Sequence, residues 1–107
     1  MNKLSKLLLL GSLLVPVLAM AAPAEEAILG KAGCLACHTK DKKLVGPAYH
    51  DVAAKYKGQG EALAKLSEKV RKGGSGVWGP IPMPPNPPEK INDADLKIVL
   101  EWILKGA

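Results

Sequence analysis

Two cysteines and a histidine form the most chemically specific cluster in the chain, Cys34-Leu35-Ala36-Cys37-His38. Two thiols three positions apart, with an imidazole directly after the second, are the attachment pattern of a c-type haem. Each sulfur adds to one of two neighbouring vinyl groups of the porphyrin, and the imidazole then lies under the iron on the anchored face. The motif therefore predicts one haem c, attached through Cys34 and Cys37, with His38 as an axial iron ligand.

Three other chemistries use cysteines at this spacing. A thioredoxin-like redox pair needs a βαβ context, and no segment of the chain alternates as a strand. A closed zinc site needs four ligands, and beyond the motif only His50 and scattered carboxylates remain to complete one. A structural disulfide is compatible with a secreted protein. The whole pentapeptide favours haem attachment over these three.

The second axial position decides what a haem iron can do, and the candidates are Met83, His50, a lysine or no protein group. Met83 lies in a rigid stretch that is far enough along the chain to reach the opposite face of the haem. His50 lies beside Asp51 in a predicted helix, where an exposed histidine is the simpler interpretation. Met83 is therefore the predicted second ligand, and ligation by two histidines is the minor alternative.

A methionine ligand has consequences for the iron. A neutral thioether favours ferrous iron, and burial disfavours the extra positive charge of the ferric form, so both raise the reduction potential. With both axial positions filled, no coordination position is open to oxygen, peroxide or a substrate. The prediction is an electron carrier and not an enzyme. A haem-based sensor, or a small haem enzyme with a labile sixth ligand, is the alternative.

The N-terminal segment has the pattern of a secretory signal peptide. A basic start precedes an apolar run over residues 7–18, which ends in Ala19-Met20-Ala21. The run is shorter than the roughly 20 apolar residues of a membrane-spanning helix. We therefore expect cleavage after Ala21, which leaves residues 22–107 as a single periplasmic domain without membrane insertion.

Composition indicates that the mature domain needs more than its own side chains. The chain has 107 residues, no Phe, two Trp and two Tyr, and bulky aromatic side chains normally dominate core packing. Domains of this size are marginal without an additional constraint, which a covalently held, mostly apolar macrocycle would supply. The formal net charge of +5 argues weakly for an acidic partner. Basic and aromatic residues are not interleaved as in single-stranded nucleic acid binders, so no nucleic acid is expected.

Four short helices are predicted to position these residues. The first covers residues 23–32 and delivers the cysteines to the cofactor. Hydrophobic periodicity predicts two more over residues 48–57 and 61–72. Asn92 is the predicted N-cap of the last helix, which ends near Lys105. The first and last helices should cross, because this is the simplest way to bury the apolar stripe of each.

Residues 77–90 are predicted to be loop. The segment is rich in proline, and each proline fixes one backbone dihedral angle and removes one N–H donor. A proline-rich stretch is often a linker, but here a helix of the same small domain follows. The segment is better interpreted as a stiff wall around Met83.

Three segments together resemble the bacterial cytochrome c-551 family of small class I cytochromes c. They are the haem motif, the run Val45-Gly46-Pro47-Ala48-Tyr49 and the run from Gly76 to Asn86, GVWGPIPMPPN. The resemblance covers essentially the whole mature chain in order and spacing. It implies an all-α cytochrome c fold, with about four short helices and long loops wrapped around one covalently bound haem.

The resemblance also implies roles for residues around the haem. His38 and Met83 would be the axial ligands, and the Pro47 carbonyl would accept a hydrogen bond from the His38 ring nitrogen that does not bind iron. Trp78 would donate its indole N–H to a haem propionate. Asn86 would form a hydrogen bond near the Met83 sulfur, and such contacts orient ligands and tune the metal.

One position departs from the family pattern. Family members often have an arginine near a propionate where this chain has Lys69. Lysine lacks the planar fork of arginine, and Arg71, two residues further on, is the other candidate for that contact.

Family members pass electrons between periplasmic respiratory complexes and terminal reductases, such as nitrite reductases or peroxidases. A monomer that docks transiently at an exposed haem edge is therefore expected, since redox encounters use small interfaces. The expected docking patch consists of Ala36, Val45, Ile81 and Pro84. The nearby lysines would either steer an acidic partner or only maintain solubility, and they are Lys31, Lys40, Lys42 and Lys43.

Overall fold

Four α-helices and one short hairpin make up the part of the chain that the computed structural model describes, Gly11 and residues 23–107. The helices are α1 (Ala24–Lys31), α2 (Tyr49–Tyr56), α3 (Ala62–Lys72) and α4 (Asp93–Leu104). A 3-10 turn, Cys34–Ala36, follows α1. Strand β1 (Gly74–Gly76) pairs antiparallel with β2 (Gly79–Met83). The predicted signal peptide and its cleavage site lie, apart from Gly11, outside the described residues.

All four predicted helices are present, and their bounds differ from the predicted ones by at most one residue. Asn92 caps α4, because its side-chain oxygen accepts a hydrogen bond from the Asp95 N–H at 2.8 Å. As expected, α1 packs against α4, which also contacts α2 and α3. No helix in the described part of the chain is long and apolar enough to cross a membrane.

The prediction that residues 77–90 are entirely loop, with no strand before or within them, is wrong. Gly74 pairs with Met83 and Gly76 pairs with Gly79, with an irregularity in the register between them. Prolines are tolerated in β2 because a strand at the edge of a sheet leaves N–H positions unpaired. Hydrophobic alternation could not reveal this hairpin, because β1 is fully exposed and β2 is only half-buried at its two ends.

The core is centred on α4. Leu96, Val99, Leu100 and Ile103 of this helix are all buried, and Leu29 of α1 packs among them. Larger apolar side chains outside the helices remain exposed, including Val45, Val77 and Ile81 at 50%, 54% and 60%. These three side chains lie on the loop before α2 and on the hairpin.

Candidate haem site

The haem motif follows α1 directly and folds into a tight turn. The N–H groups of Cys37 and His38 both donate to the Cys34 carbonyl, at 3.2 and 3.1 Å. Both thiols are free and half-buried, and they line the same cavity as the His38 ring. Burial raises the pKa of the Cys34 thiol, although the nearby Lys90 ammonium acts in the opposite direction. A redox-active cysteine has a lowered pKa, so the thioredoxin-like interpretation finds no support here.

The His38 ring is held in one orientation. Its Nδ1 lies 2.8 Å from the Pro47 carbonyl oxygen, and because a carbonyl only accepts, Nδ1 carries the proton. In the neutral tautomer that this contact selects, Nε2 carries no proton and can bind a metal. Tyr49 stacks on the ring with centroids 5.2 Å apart, and a Cβ at Gly46 would collide with the ring. Burial keeps the Tyr49 phenol neutral by raising its pKa.

The His50 side chain contacts residues outside the cavity that contains His38. Its Nδ1 lies 2.7 Å from an Asp41 carboxylate oxygen, and its Nε2 lies 3.2 Å from the Ala107 carbonyl. The side chain is exposed and does not line the cavity that contains His38. The structure therefore offers no support for ligation by two histidines.

Met83 lies at the end of β2 and lines the same cavity as Cys34, Cys37 and His38. Its side chain is half-buried. The hairpin pairing of Gly74 with Met83 places the methionine beside the C-terminal end of α3. The cavity therefore brings together a thiol pair, an imidazole and a thioether.

The lining of the cavity has the chemistry that a haem requires. The cavity is partly open to solvent. Apolar side chains from all four helices line it, among them Leu29, Val52, Leu66 and Val99. These residues fit a large, mostly apolar macrocycle. His38 and Met83 are residues that would hold its iron, and Cys34 and Cys37 would hold its edge.

Two more predicted residues lie at this cavity. Trp78 lines it with 39% of its surface exposed, and the Lys55 ammonium lies 5.5 Å from the centroid of its ring. Lys69 also lines the cavity, whereas Arg71 does not. The Lys55–Trp78 contact was not predicted, since nothing in the local sequence pairs α2 with the hairpin.

Asn86 does not line the cavity. It is 4% exposed, and its side-chain amide donates to the Val70 carbonyl at 3.2 Å and to the Pro84 carbonyl at 3.0 Å. Both amide protons are therefore directed to backbone oxygens and not to the Met83 sulfur. In this arrangement Asn86 acts on the loop that follows Met83, through the backbone.

A small helical domain with an apolar cavity beside a Cys-x-x-Cys-His motif has the architecture of a class I c-type cytochrome. The comparisons agree with this class. The chain belongs to the cytochrome c family, whose model, described as Cytochrome c, matches residues 26–107.

Individual relatives extend the match over nearly their whole length. Cytochrome c2 of Rubrivivax gelatinosus is 54% identical over 85 residues, which cover 79% of this chain and 98% of the relative. Cytochrome c-551 of Pseudomonas aeruginosa is 48% identical over 90 residues, covering 82% of this chain and 84% of the relative. The crystal structure of Nitrosomonas europaea cytochrome c552 superposes with a TM-score of 0.70 at 45% identity, covering 77% of this chain and 99% of that one.

These findings confirm the predicted resemblance and fold class. The chain is a small c-type cytochrome with one covalently bound haem c, and it carries electrons. Its relatives are cytochromes c that act as electron carriers. Like its relatives, it acts with protein partners.

Proposed function

We propose that this cytochrome is a periplasmic electron carrier whose haem is attached through Cys34 and Cys37 and whose iron is bound by His38 and Met83. The observation that carries the proposal is the common cavity. His38 and Met83 are far apart in the sequence, with α2 and α3 between them, yet both line it, together with the two thiols. When bound, the haem iron supplies the one-electron chemistry.

The protein residues would set the properties of that iron. The Pro47 carbonyl fixes the His38 tautomer and increases the basicity of the imidazole as a ligand. The apolar lining from the four helices would lower the polarity around the iron, and this favours the ferrous state. Two protein ligands would leave no position open for a substrate, and this supports electron transfer over catalysis.

Visible spectra of both oxidation states test the ligand assignment. The oxidised protein should show the weak far-red charge-transfer band of a thioether on ferric iron, and the reduced protein should not bind carbon monoxide readily at neutral pH. Absence of the band together with ready carbon monoxide binding would instead support the haem-based sensor or small haem enzyme.

The cavity mouth supports transient docking of a redox protein. Val45, Ile81 and Pro84 are exposed and border the cavity, whereas Ala36 is exposed but lies outside its lining. The lysines that were predicted to steer a partner differ in their contacts. The Lys40 ammonium pairs with Glu26 at 2.6 Å and lies 5.3 Å from the Trp102 centroid.

Lys42 and Lys43 are both exposed and have no ion pair among residues 23–107. They are therefore better placed than Lys40 to steer an acidic partner.

We infer a terminal reductase of the nitrite reductase or peroxidase type as electron acceptor. Its electron-transfer rate with the reduced cytochrome should fall as ionic strength rises, and Lys42→Gln/Lys43→Gln should flatten that dependence. A rate that does not depend on salt would argue against steering.

The periplasmic localisation, the cleavage site and the monomeric state of the protein can be tested with one preparation. Expression of the full chain with its haem-attachment machinery should yield a periplasmic product that begins at Ala22, because cleavage is proposed after Ala21. The mature protein should sediment as a monomer. Retention of residues 1–21 in a membrane fraction would show instead that the leader remains as an anchor.

A further inference from the structure

Arg71 forms three contacts that join α3 to the segment after Met83 and to the first residue of α4. Its Nη1 donates to the carbonyl of Asn86 at 3.1 Å and to that of Ile91 at 2.6 Å. Its Nη2 donates to an Asp93 carboxylate oxygen at 2.6 Å. The side chain of Arg71 is only 21% exposed, while that of Asp93 is 92% exposed. The two carbonyl contacts therefore matter more than the solvent-exposed ion pair.

The segment that Arg71 holds is poor in hydrogen-bond donors. Four of its residues, at positions 84, 85, 87 and 88, are prolines without an N–H. Its carbonyl groups therefore depend on donors from elsewhere in the fold, because buried acceptors without a partner are costly. A guanidinium is suited to this task, since its planar fork can serve two carbonyls at once.

Val70, the residue before Arg71, forms hydrogen bonds to the same segment. The Val70 carbonyl accepts from both the backbone N–H of Asn86, at 3.0 Å, and the Asn86 side-chain amide, at 3.2 Å. Asn86 thus donates to α3 through Val70 and accepts from α3 through Arg71. The last turn of α3 and the chain around Asn86 form one hydrogen-bonded unit.

The end of α3 also contacts Met83 itself. Gly73 follows the helix with φ of 67°, a conformation that favours glycine. A Cβ at this position would collide with the Met83 carbonyl and with Pro84. The backbone of α3 therefore lies directly against the Met83–Pro84 peptide, and what holds the downstream segment against α3 also holds Met83.

We propose that Arg71 is a positioning residue for Met83: by bridging the Asn86 and Ile91 carbonyls to α3, its guanidinium keeps the thioether directed into the haem cavity. The proposal rests on the proposed ligation of iron by Met83. The thioether is a neutral and weak ligand, so its retention depends on how little the supporting chain moves. Arg71 has no place in the cavity lining, and its effect on the iron is therefore transmitted through the loop.

The experiment compares purified holoprotein variants by the carbon monoxide association rate of the reduced form and by the far-red band of the oxidised form. Arg71→Gln should raise the association rate about tenfold or more, the change expected when one or two charge-assisted hydrogen bonds are lost. It should also weaken the band. Arg71→Lys should fall between the wild type and Arg71→Gln, because an ammonium cannot reproduce the fork.

Two controls separate positioning from general destabilisation. Lys72→Gln removes the neighbouring cation, which pairs with Glu68 at 2.7 Å on the surface, and should change neither readout. Leu63→Ala weakens the packing of α3 at its other end, away from the cavity lining. It should lower the melting temperature without raising the association rate.

The outcomes distinguish this proposal from the one on which it rests. If the wild type shows the band but Arg71→Gln has the association rate of Lys72→Gln, Arg71 does not position Met83 and the ligand assignment stands. If the wild type lacks the band and binds carbon monoxide readily, the ligand assignment itself fails. Should Arg71→Gln not accumulate as holoprotein, Arg71→Lys decides, and a wild-type rate in that variant would overturn the proposal.

Discussion

The Nδ1 atom of His38 lies 2.8 Å from the carbonyl oxygen of Pro47, on the loop that leads into α2. Because a carbonyl oxygen can only accept, Nδ1 donates, and the direction of this one bond fixes the tautomer of the neutral His38 ring. Gly46 and Tyr49 complete the support, the first by leaving room for the ring and the second by stacking on it.

Gly46→Ala should disturb this support directly. The added methyl group would collide with the His38 ring, so we expect a loss of about 1–3 kcal/mol in the free energy of unfolding and a lower yield of attached haem. Denaturant unfolding and the haem absorbance per protein measure the two effects. Gly60→Ala is the matched control, because nothing lies within 4 Å of a Cβ there. Equal behaviour of the two variants would show that the ring tolerates the methyl group.

Much of this fold could be predicted because its signals are local. The N-cap at Asn92 and the apolar periodicity of α3 each lie within a few neighbouring residues, and both are present in the structure. The β1–β2 hairpin had no such signal, since its strands consist of glycine, serine, proline and a few apolar residues without alternation. Exposed strands do not need an apolar face.

The site residues likewise include some that a local sequence signal predicts and some that depend on tertiary packing. The cysteine pair and His38 follow from five consecutive residues, and Met83 could be selected from its proline-rich surroundings. The amide of Asn86 donates to Val70 and Pro84 instead of approaching the Met83 sulfur, and this depends on how α3 packs against a distant loop. The three contacts of Arg71 are likewise set by tertiary packing, and no spacing in the sequence indicates them.

Asn92→Ala should destabilise α4 without changing the haem environment. The side chain accepts from the Asp95 N–H at 2.8 Å, and the loss of such a cap costs about 1 kcal/mol. Thermal unfolding should show the loss, and the visible spectrum should not change. Asn92→Asp retains an acceptor at the same place and should behave like the wild type. A spectral change in Asn92→Ala would mean that α4 moves as a whole when its first turn frays.

Acid stability should depend slightly on Glu101. Its hydrogen bond and ion pair with Lys97, at 2.9 Å, lower the pKa of this carboxyl. A lowered pKa in the folded state stabilises it above the unfolded value of about 4.3, and that contribution disappears as pH falls through the folded value. Glu101→Gln should therefore reduce the dependence of stability on pH below about 4.3, measured by denaturant unfolding at low salt.

The effect of Glu101→Gln should be small, because the carboxylate is on the surface. Glu89→Gln is a suitable control, since Glu89 is exposed and has no ion pair in the described part of the chain. An identical pH dependence in Glu101→Gln and the wild type would show that the Lys97 pair does not persist in solution.

Met83→Ala tests the assignment on which the carrier function depends. Because Cys34 and Cys37 hold the haem independently of Met83, we expect the haem to remain covalently attached. The reduction potential should fall markedly, since the thioether that favours ferrous iron is gone. Carbon monoxide and other external ligands should bind the opened position, and the far-red band should disappear. Potentiometric titration and carbon monoxide difference spectra measure these changes.

Met83→Leu separates the sulfur from the space that it fills. Leucine has nearly the volume of methionine, so swaps between the two usually cost less than about 1.5 kcal/mol, and the β2 pairing with Gly74 uses only the backbone. If the thioether binds the iron, Met83→Leu should share the low potential and the ligand binding of Met83→Ala while melting closer to the wild type. If Met83→Leu keeps the wild-type potential, the methionine only fills the cavity, and the second axial ligand lies elsewhere.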